Sequence, residues 1–188
     1  MSFYPSLPGR HHLSVLWKRF PKGIAPLLHL HDELCRDDAS ELTVGERELI
    51  ATHVSALNAC NYCFVAHARY ARAFGIDDAV FGDMTVDTAH PSLRPQMTAA
   101  LDYAAKLTRT PAAVGQGDFD ALLAAGWSED GINDIIFITG VYAMMNRLLE
   151  GAGLKENVAP PGFSPEKARA GRYSDMLAML GIGGAPAG

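Results

Sequence analysis

Apolar residues recur along this chain at helical spacing, and stretches that alternate apolar with polar residues are nearly absent. His12 to Phe20 predicts a short helix ended by Pro21, which lacks the N–H a continuing helix needs. Ile24 to about Asp37 predicts a second, with Ile24, Leu27, Leu28 and Leu34 on its apolar side and Asp32, Glu33, Arg36 and Asp37 polar. Thr43-Val-Gly-Glu46 then reads as a capping box opening a helix to about Leu57, with Leu49, Ile50, Val54 and Leu57 buried. Asn58 or Asn61 supplies a break and a new N-cap, and the next helix runs to Phe74, where Gly75 offers a left-handed stop.

Further helices are expected over Ser92 to Thr108, between Pro91 and Pro111, and over Asp118 to Ala125, ended by Gly126. Ser128 caps a long segment to Leu149 containing Ile132, Ile135, Ile136, Phe137, Ile138, Val141, Tyr142, Met144 and Met145. A helix apolar nearly all round must be covered on every side, at the centre of the fold or by another subunit. Ser164-Pro165-Glu166 opens a last helix that ends at Gly181. The glycine-rich tail from about residue 181 is expected to be flexible, and its glycines lack phosphate-loop spacing. The pattern predicts an all-α fold.

At 188 residues without an internal Pro/Gly/Ser linker, the chain reads as one domain, 1–188, burying roughly 70% of its unfolded surface. A net charge of -5 with scattered basic residues argues against nucleic acid or an anionic membrane as partner. Neither a signal peptide nor a membrane-length apolar run is present, so a cytoplasmic protein is expected. Three cysteines, an odd number, suit a reactive or metal-binding pair better than a structural disulfide framework.

Chemistry concentrates between Glu48 and His67. If the chain is helical from about Ala59, Cys60, Cys63 and His67 lie at i, i+3 and i+7 along one face. A thiolate at a helix start is stabilised by unsatisfied backbone N–H groups, and His67 can accept a thiol proton directly or through water. On the preceding helix Glu46 is the capping-box partner, whereas Glu48 is rotated by about 200° from it, toward the apolar side. A carboxylate aimed inward needs a partner, and a hairpin around Asn58 brings Glu48 opposite His67. Cys35 reads as a buried apolar residue, and His29, His31 and His53 as structural or surface residues. Tyr62 can line a pocket, donate a hydrogen bond or simply pack. Two cysteines and one histidine on a single helix do not easily converge on zinc, and the residue after Cys63 is Phe64, not the histidine of covalent haem attachment.

Glu48, eleven residues, Cys60-x-x-Cys63, three residues, His67, set in Glu-Arg-Glu-Leu-Ile-Ala and Ser-Ala-Leu-Asn-Ala-Cys, resembles the alkylhydroperoxidase D and carboxymuconolactone decarboxylase superfamily, particularly its peroxidase-related branch. The core likeness spans about Leu42 to Gly75, and a looser one, including Asn146-Arg147, reaches about Leu154. The resemblance implies an alkylhydroperoxidase D-like helical fold in homo-oligomers. It implies Cys63 as the peroxidatic thiol, Cys60 as the resolving thiol, and His67 with Glu48 as the proton relay. The helix-dipole argument alone favours Cys60 as nucleophile. Some members carry a histidine just before the second cysteine, where this chain has Tyr62.

The expected activity is thiol-dependent reduction of a small hydroperoxide, with no metal, haem or flavin and with a thioredoxin-like or lipoyl-bearing protein as reductant. Rival readings are a protein disulfide oxidoreductase or redox sensor, a zinc-bound helical module without enzymatic activity, and a lyase acting on a small lactone or keto acid.

Overall fold

The computed structural model describes residues 3–7, 9, 11–157 and 163–182. The helices are α1 Leu13–Arg19, α2 Ile24–Arg36, α3 Val44–Leu57, α4 Asn61–Ala73, α5 Pro95–Arg109, α6 Gln116–Ala124, α7 Glu129–Gly151, α8 Pro165–Ala170 and α9 Met176–Leu180. Among the described residues the one extended pairing is an isolated bridge between Phe81 and Val86, so the fold is all-α. None of the described helices is long and apolar enough to cross a membrane. The tail expected to be flexible from about residue 181 lies outside the described residues beyond Ile182.

The hairpin of α3 and α4 is the centre of the molecule. Thr43 and Glu46 form the expected capping box, the Glu46 carboxylate accepting from Thr43 N at 2.8 Å and Thr43 Oγ1 accepting from Glu46 N at 3.2 Å. Arg94 adds a two-pronged ion pair to Glu46, at 2.5 and 2.8 Å, which ties the start of α3 to the start of α5. Where the two helices of the hairpin draw close, a Cβ on Gly45 would sit 2.8 Å from the Phe74 carbonyl oxygen, so only glycine fits. Gly75, at φ 95°, ends α4 as expected.

The helix with the most thorough burial is α3, not α7. It packs against α4, α5 and α7, and even Glu46, Arg47, Glu48, Thr52, His53 and Ser55 are buried. Thr52 and Ser55 tolerate this because their hydroxyls bond back to the carbonyls of Glu48 and Ala51, each at 2.7 Å. Helix α7 buries Ile132, Ile135, Ile138, Tyr142, Met145 and Leu149 but leaves Phe137, Met144 and Leu148 about half exposed.

Four boundaries depart from the sequence expectation. Asn58 is the C-cap of α3, Ala59 takes a left-handed φ of 53°, and Cys60 itself, rather than Asn58 or Asn61, is the N-cap of α4. Helix α5 starts at Pro95 rather than Ser92, because Pro95 holds Arg94 extended. Helix α6 starts at Gln116, since Asp118 is its third residue and accepts from Gly115 N at 2.8 Å. The continuous helix expected from Ser164 to Gly181 is broken into α8, a 3-10 turn over Tyr173–Asp175, and α9. Asp32 of α2 captures the backbone N–H groups of Tyr173 and Ser174, at 2.6 and 3.2 Å, and Asp175 captures that of Arg172 at 2.7 Å.

Candidate functional site

Everything at the site starts from the turn between α3 and α4. Cys60 N donates to Ser55 O at 2.9 Å, and Phe64 N donates to Cys60 O at 3.0 Å, which starts α4 with Cys60 at its cap and Cys63 one turn in. Asn146 of α7 locks this turn, accepting from Asn58 Nδ2 at 3.0 Å while its own amide donates to Ser55 Oγ at 3.0 Å. Both cysteines are free thiols, 0% and 2% exposed.

The two thiols act as one titrating unit. The hydrogen bond from Cys63, together with one from Asn146, pulls the ionisation of Cys60 below the usual thiol range despite burial. Cys63 is pushed the other way, first by that same bond to Cys60, then by burial and the neighbouring charge. Of the two, Cys60 is thus the thiol that ionises first.

One turn further along α4 stands His67, and behind it Glu48, fully buried on α3. His67 Nδ1 lies 2.7 Å from Glu48 Oε2. Glu48 Oε1 accepts from Arg36 Nη1 at 2.6 Å and from the Tyr173 hydroxyl at 2.8 Å. Burial pushes the Glu48 carboxyl up, but the His67 hydrogen bond and the Arg36 guanidinium outweigh it and hold the group down at about 2. With Nδ1 committed to Glu48, Nε2 is the ring nitrogen left for a thiol or a substrate. The His67 ring stands edge-on to Tyr142, with centroids 4.4 Å apart.

A cavity of about 340 Å³ opens at this point. Cys63 and His67 are in its wall, together with the apolar Leu13, Trp17, Leu28, Met145, Leu149 and Met176. That volume is in the range of small-ligand pockets, several times what a peroxide group alone would fill. Cys60, fully buried, does not line it.

The structure therefore brings Glu48, Cys60, Cys63 and His67 into one constellation. Tyr62 lines the cavity, and its hydroxyl accepts from Leu13 N at 3.1 Å. Cys35 is fully buried as expected, but its sulfur sits 3.4 Å from the Tyr142 hydroxyl, and burial pushes it up to about 12. His31 is held by the Leu27 carbonyl at 2.7 Å and faces the cavity, His29 is on the surface, and His53 is buried on α3. Among the described residues no cluster of three or more His, Cys, Asp or Glu side chains is arranged to hold a metal ion. Sequence reasoning missed Arg36 and Tyr173 as partners of Glu48, and Asn146 as the lock on the cysteine turn. The demand of an inward carboxylate for a partner was the one available signal, and it did not say which arginine or tyrosine would answer.

An all-helical scaffold that seals a dithiol beside a histidine–carboxylate pair defines a helical thiol protein of the alkylhydroperoxidase D type. The carboxymuconolactone decarboxylase family matches residues 26–106. An uncharacterised peroxidase-related protein from Ralstonia eutropha JMP134, described as an alkylhydroperoxidase AhpD core, is similar at 31% identity and a TM-score of 0.69, over 76% of this chain and 75% of that one. An uncharacterised peroxidase-related protein from Silicibacter sp. TM1040 is similar at 30% identity and a TM-score of 0.63, over 68% of this chain and 66% of that one, just under two thirds of its length. A protein of unknown function from Agrobacterium tumefaciens, described as a candidate AhpD antioxidant defence protein, shares the fold at 23% identity and a TM-score of 0.63, over 77% of this chain and 97% of that one. No curated protein gives a match. The chain belongs to the alkylhydroperoxidase D and carboxymuconolactone decarboxylase superfamily, in its peroxidase-related branch.

Proposed function

We propose that the protein is a thiol-dependent hydroperoxide reductase of antioxidant type. The observation that carries this is the shared wall: Cys63 and His67 face one cavity, with Glu48 directly behind the imidazole. His67 Nε2 takes the Cys63 proton, and the thiolate attacks the outer peroxide oxygen. The O–O bond breaks, the alkoxide leaves as an alcohol with the proton from His67, and Cys63 becomes a sulfenic acid. Cys60, the more acidic thiol, then attacks that sulfur, expelling water and closing a disulfide. Acidity favours Cys60 as first nucleophile, yet access decides the order, because a sulfur outside the cavity wall meets no peroxide.

A dithiol-bearing partner must reduce the disulfide, with oxidation of its own thiols to a disulfide. Sulfurs this buried suit a slender dithiol arm better than a flat protein surface. The same burial weighs against the protein disulfide oxidoreductase reading. Cysteine usage supports a reducing, cytoplasmic setting, and the superfamily's habit supports a homo-oligomer. The test is thiol counting on reduced protein. One hydroperoxide should consume two thiols per chain with formation of the Cys60–Cys63 disulfide, and Cys63→Ser should abolish it. Retained turnover in a double cysteine variant would instead point to lyase chemistry.

A further inference from the structure

Glu48 is met from two elements that lie outside the Glu48–His67 segment. Arg36 comes from the last turn of α2, and Tyr173 from the 3-10 turn between α8 and α9. A carboxylate sealed from water beside a lone imidazole would hold that imidazole protonated, since burial strengthens their attraction. A protonated ring cannot accept the thiol proton. Here the carboxylate's charge is divided among three donors, so only part of it acts on His67.

Tyr173 is held from several sides. Its backbone N–H is anchored on Asp32 at 2.6 Å, and its ring lies under the Arg36 guanidinium at 4.8 Å and against His31 at 5.2 Å. Its hydroxyl donates to Glu48 and has the Tyr142 hydroxyl 3.4 Å away. Tyr62, at the position where some superfamily members carry a histidine, takes its hydrogen bond from Leu13 N, away from Glu48.

We propose that Tyr173 is a positioning residue for peroxide reduction: with Arg36 it fixes the Glu48 carboxylate and draws off part of its charge, so that His67 remains a base toward Cys63. This rests on the peroxidase reading above. The other titratable groups beside His67 are His31 of α2 and Tyr142 of α7, and the cavity wall it shares also holds His12, Arg36, Cys63, Arg69, Tyr70, Lys167, Arg172 and Asp175. Of these, none takes the place of Glu48 on Nδ1.

The test compares Tyr173→Phe with the native chain, both reduced and full length. Protonation of the His67 ring is followed by NMR as pH is varied, the signal being identified by its loss in His67→Gln. Removing one hydrogen bond to a buried charge should move the midpoint of that protonation up by about one pH unit. The acid limb of peroxide turnover should move with it. A tyrosine that merely packs would lower the unfolding temperature and leave the midpoint in place, and that result, or a downward movement, overturns the proposal. Should Tyr173→Phe not fold, Asp32→Ala, which unlatches the turn at Tyr173 N, is read the same way: an upward movement supports the proposal and none overturns it. His67 titration needs no peroxide. A native chain that leaves hydroperoxide unreduced therefore defeats the peroxidase reading without deciding this measurement.

Discussion

The site is assembled from two regions of opposite kind. The α3–α4 hairpin carries Glu48, Cys60, Cys63 and His67 in twenty consecutive residues, and its conformation follows from local signals: a capping box, a close-packed glycine and a left-handed stop. The turn at Tyr173–Asp175 contributes one hydroxyl, and its conformation is imposed by a carboxylate 141 residues away. The proposed catalytic groups thus sit on the self-specifying part of the chain, while the group proposed to adjust them sits on a turn held from α2.

The strongest way to break this comparison is to remove the residue that both regions share. Glu48→Ala leaves the Arg36 guanidinium, 7% exposed, without its carboxylate, and losing one partner of a buried pair costs about 3–5 kcal/mol. Urea unfolding should show that loss at neutral pH. The native chain should also show an acid dependence that the variant lacks. The folded-state value of Glu48, about 2, lies below its ordinary 4.5, so its contribution is complete above pH 4.5 and disappears as pH falls toward 2. A separate and earlier decline comes from His53, held down at about 4 by burial and by Arg109, which loses its contribution as pH falls from about 6.5 to 4. Equal urea stability of the native chain and Glu48→Ala at pH 7 would mean that the three partners contribute nothing net, and the shared-carboxylate picture would go.

The difference between the regions also explains what was legible in the sequence. Periodicity and capping placed α2, α3 and α4 nearly to the residue, and the hairpin reading was enough to place Glu48 against His67. Arg36 was read only as a polar position of α2, because helical spacing says which side a residue is on, not what packs there. Tyr173 was hidden inside an apparently continuous helix, since no local rule reports a cap donated from α2. Even Cys60 was misjudged by a single step. It is the cap of α4 because the α3 hydrogen bonds run on through Asn58, leaving the chain to reverse at Ala59.

A milder change separates the regions. Asp32→Ala removes two backbone hydrogen bonds from the C-terminal turn and reaches the hairpin only through the Tyr173 hydroxyl on Glu48. Each such bond to a charged group contributes about 1.5–3 kcal/mol when fully buried, but the turn that receives them is only partly buried, so the expected loss is about 1–2 kcal/mol. Amide hydrogen exchange should accelerate over 173–180 and stay unchanged over 44–73. Faster exchange spread evenly through both would show that the turn and hairpin unfold as one unit.

The smallest effect bears on how the hairpin sets its own geometry. Ala59 is exposed and adopts φ 53°, a conformation that costs a residue with a Cβ about 1 kcal/mol and glycine almost nothing. Ala59→Gly relieves that cost but gives the unfolded chain extra freedom of nearly the same size, so stability should change by less than about 0.5 kcal/mol. Ala59→Val adds a branched side chain in the same left-handed region and should lose more than about 1 kcal/mol. The turn is held by Ala59 N to Ala56 O at 3.0 Å and Cys60 N to Ser55 O at 2.9 Å, bonds that neither variant removes. In Ala59→Gly the cysteines should then keep their native rate of reaction with peroxide. A slower reaction without lost stability would show that the strained alanine, and not the backbone bonds alone, holds Cys60 in place for disulfide closure.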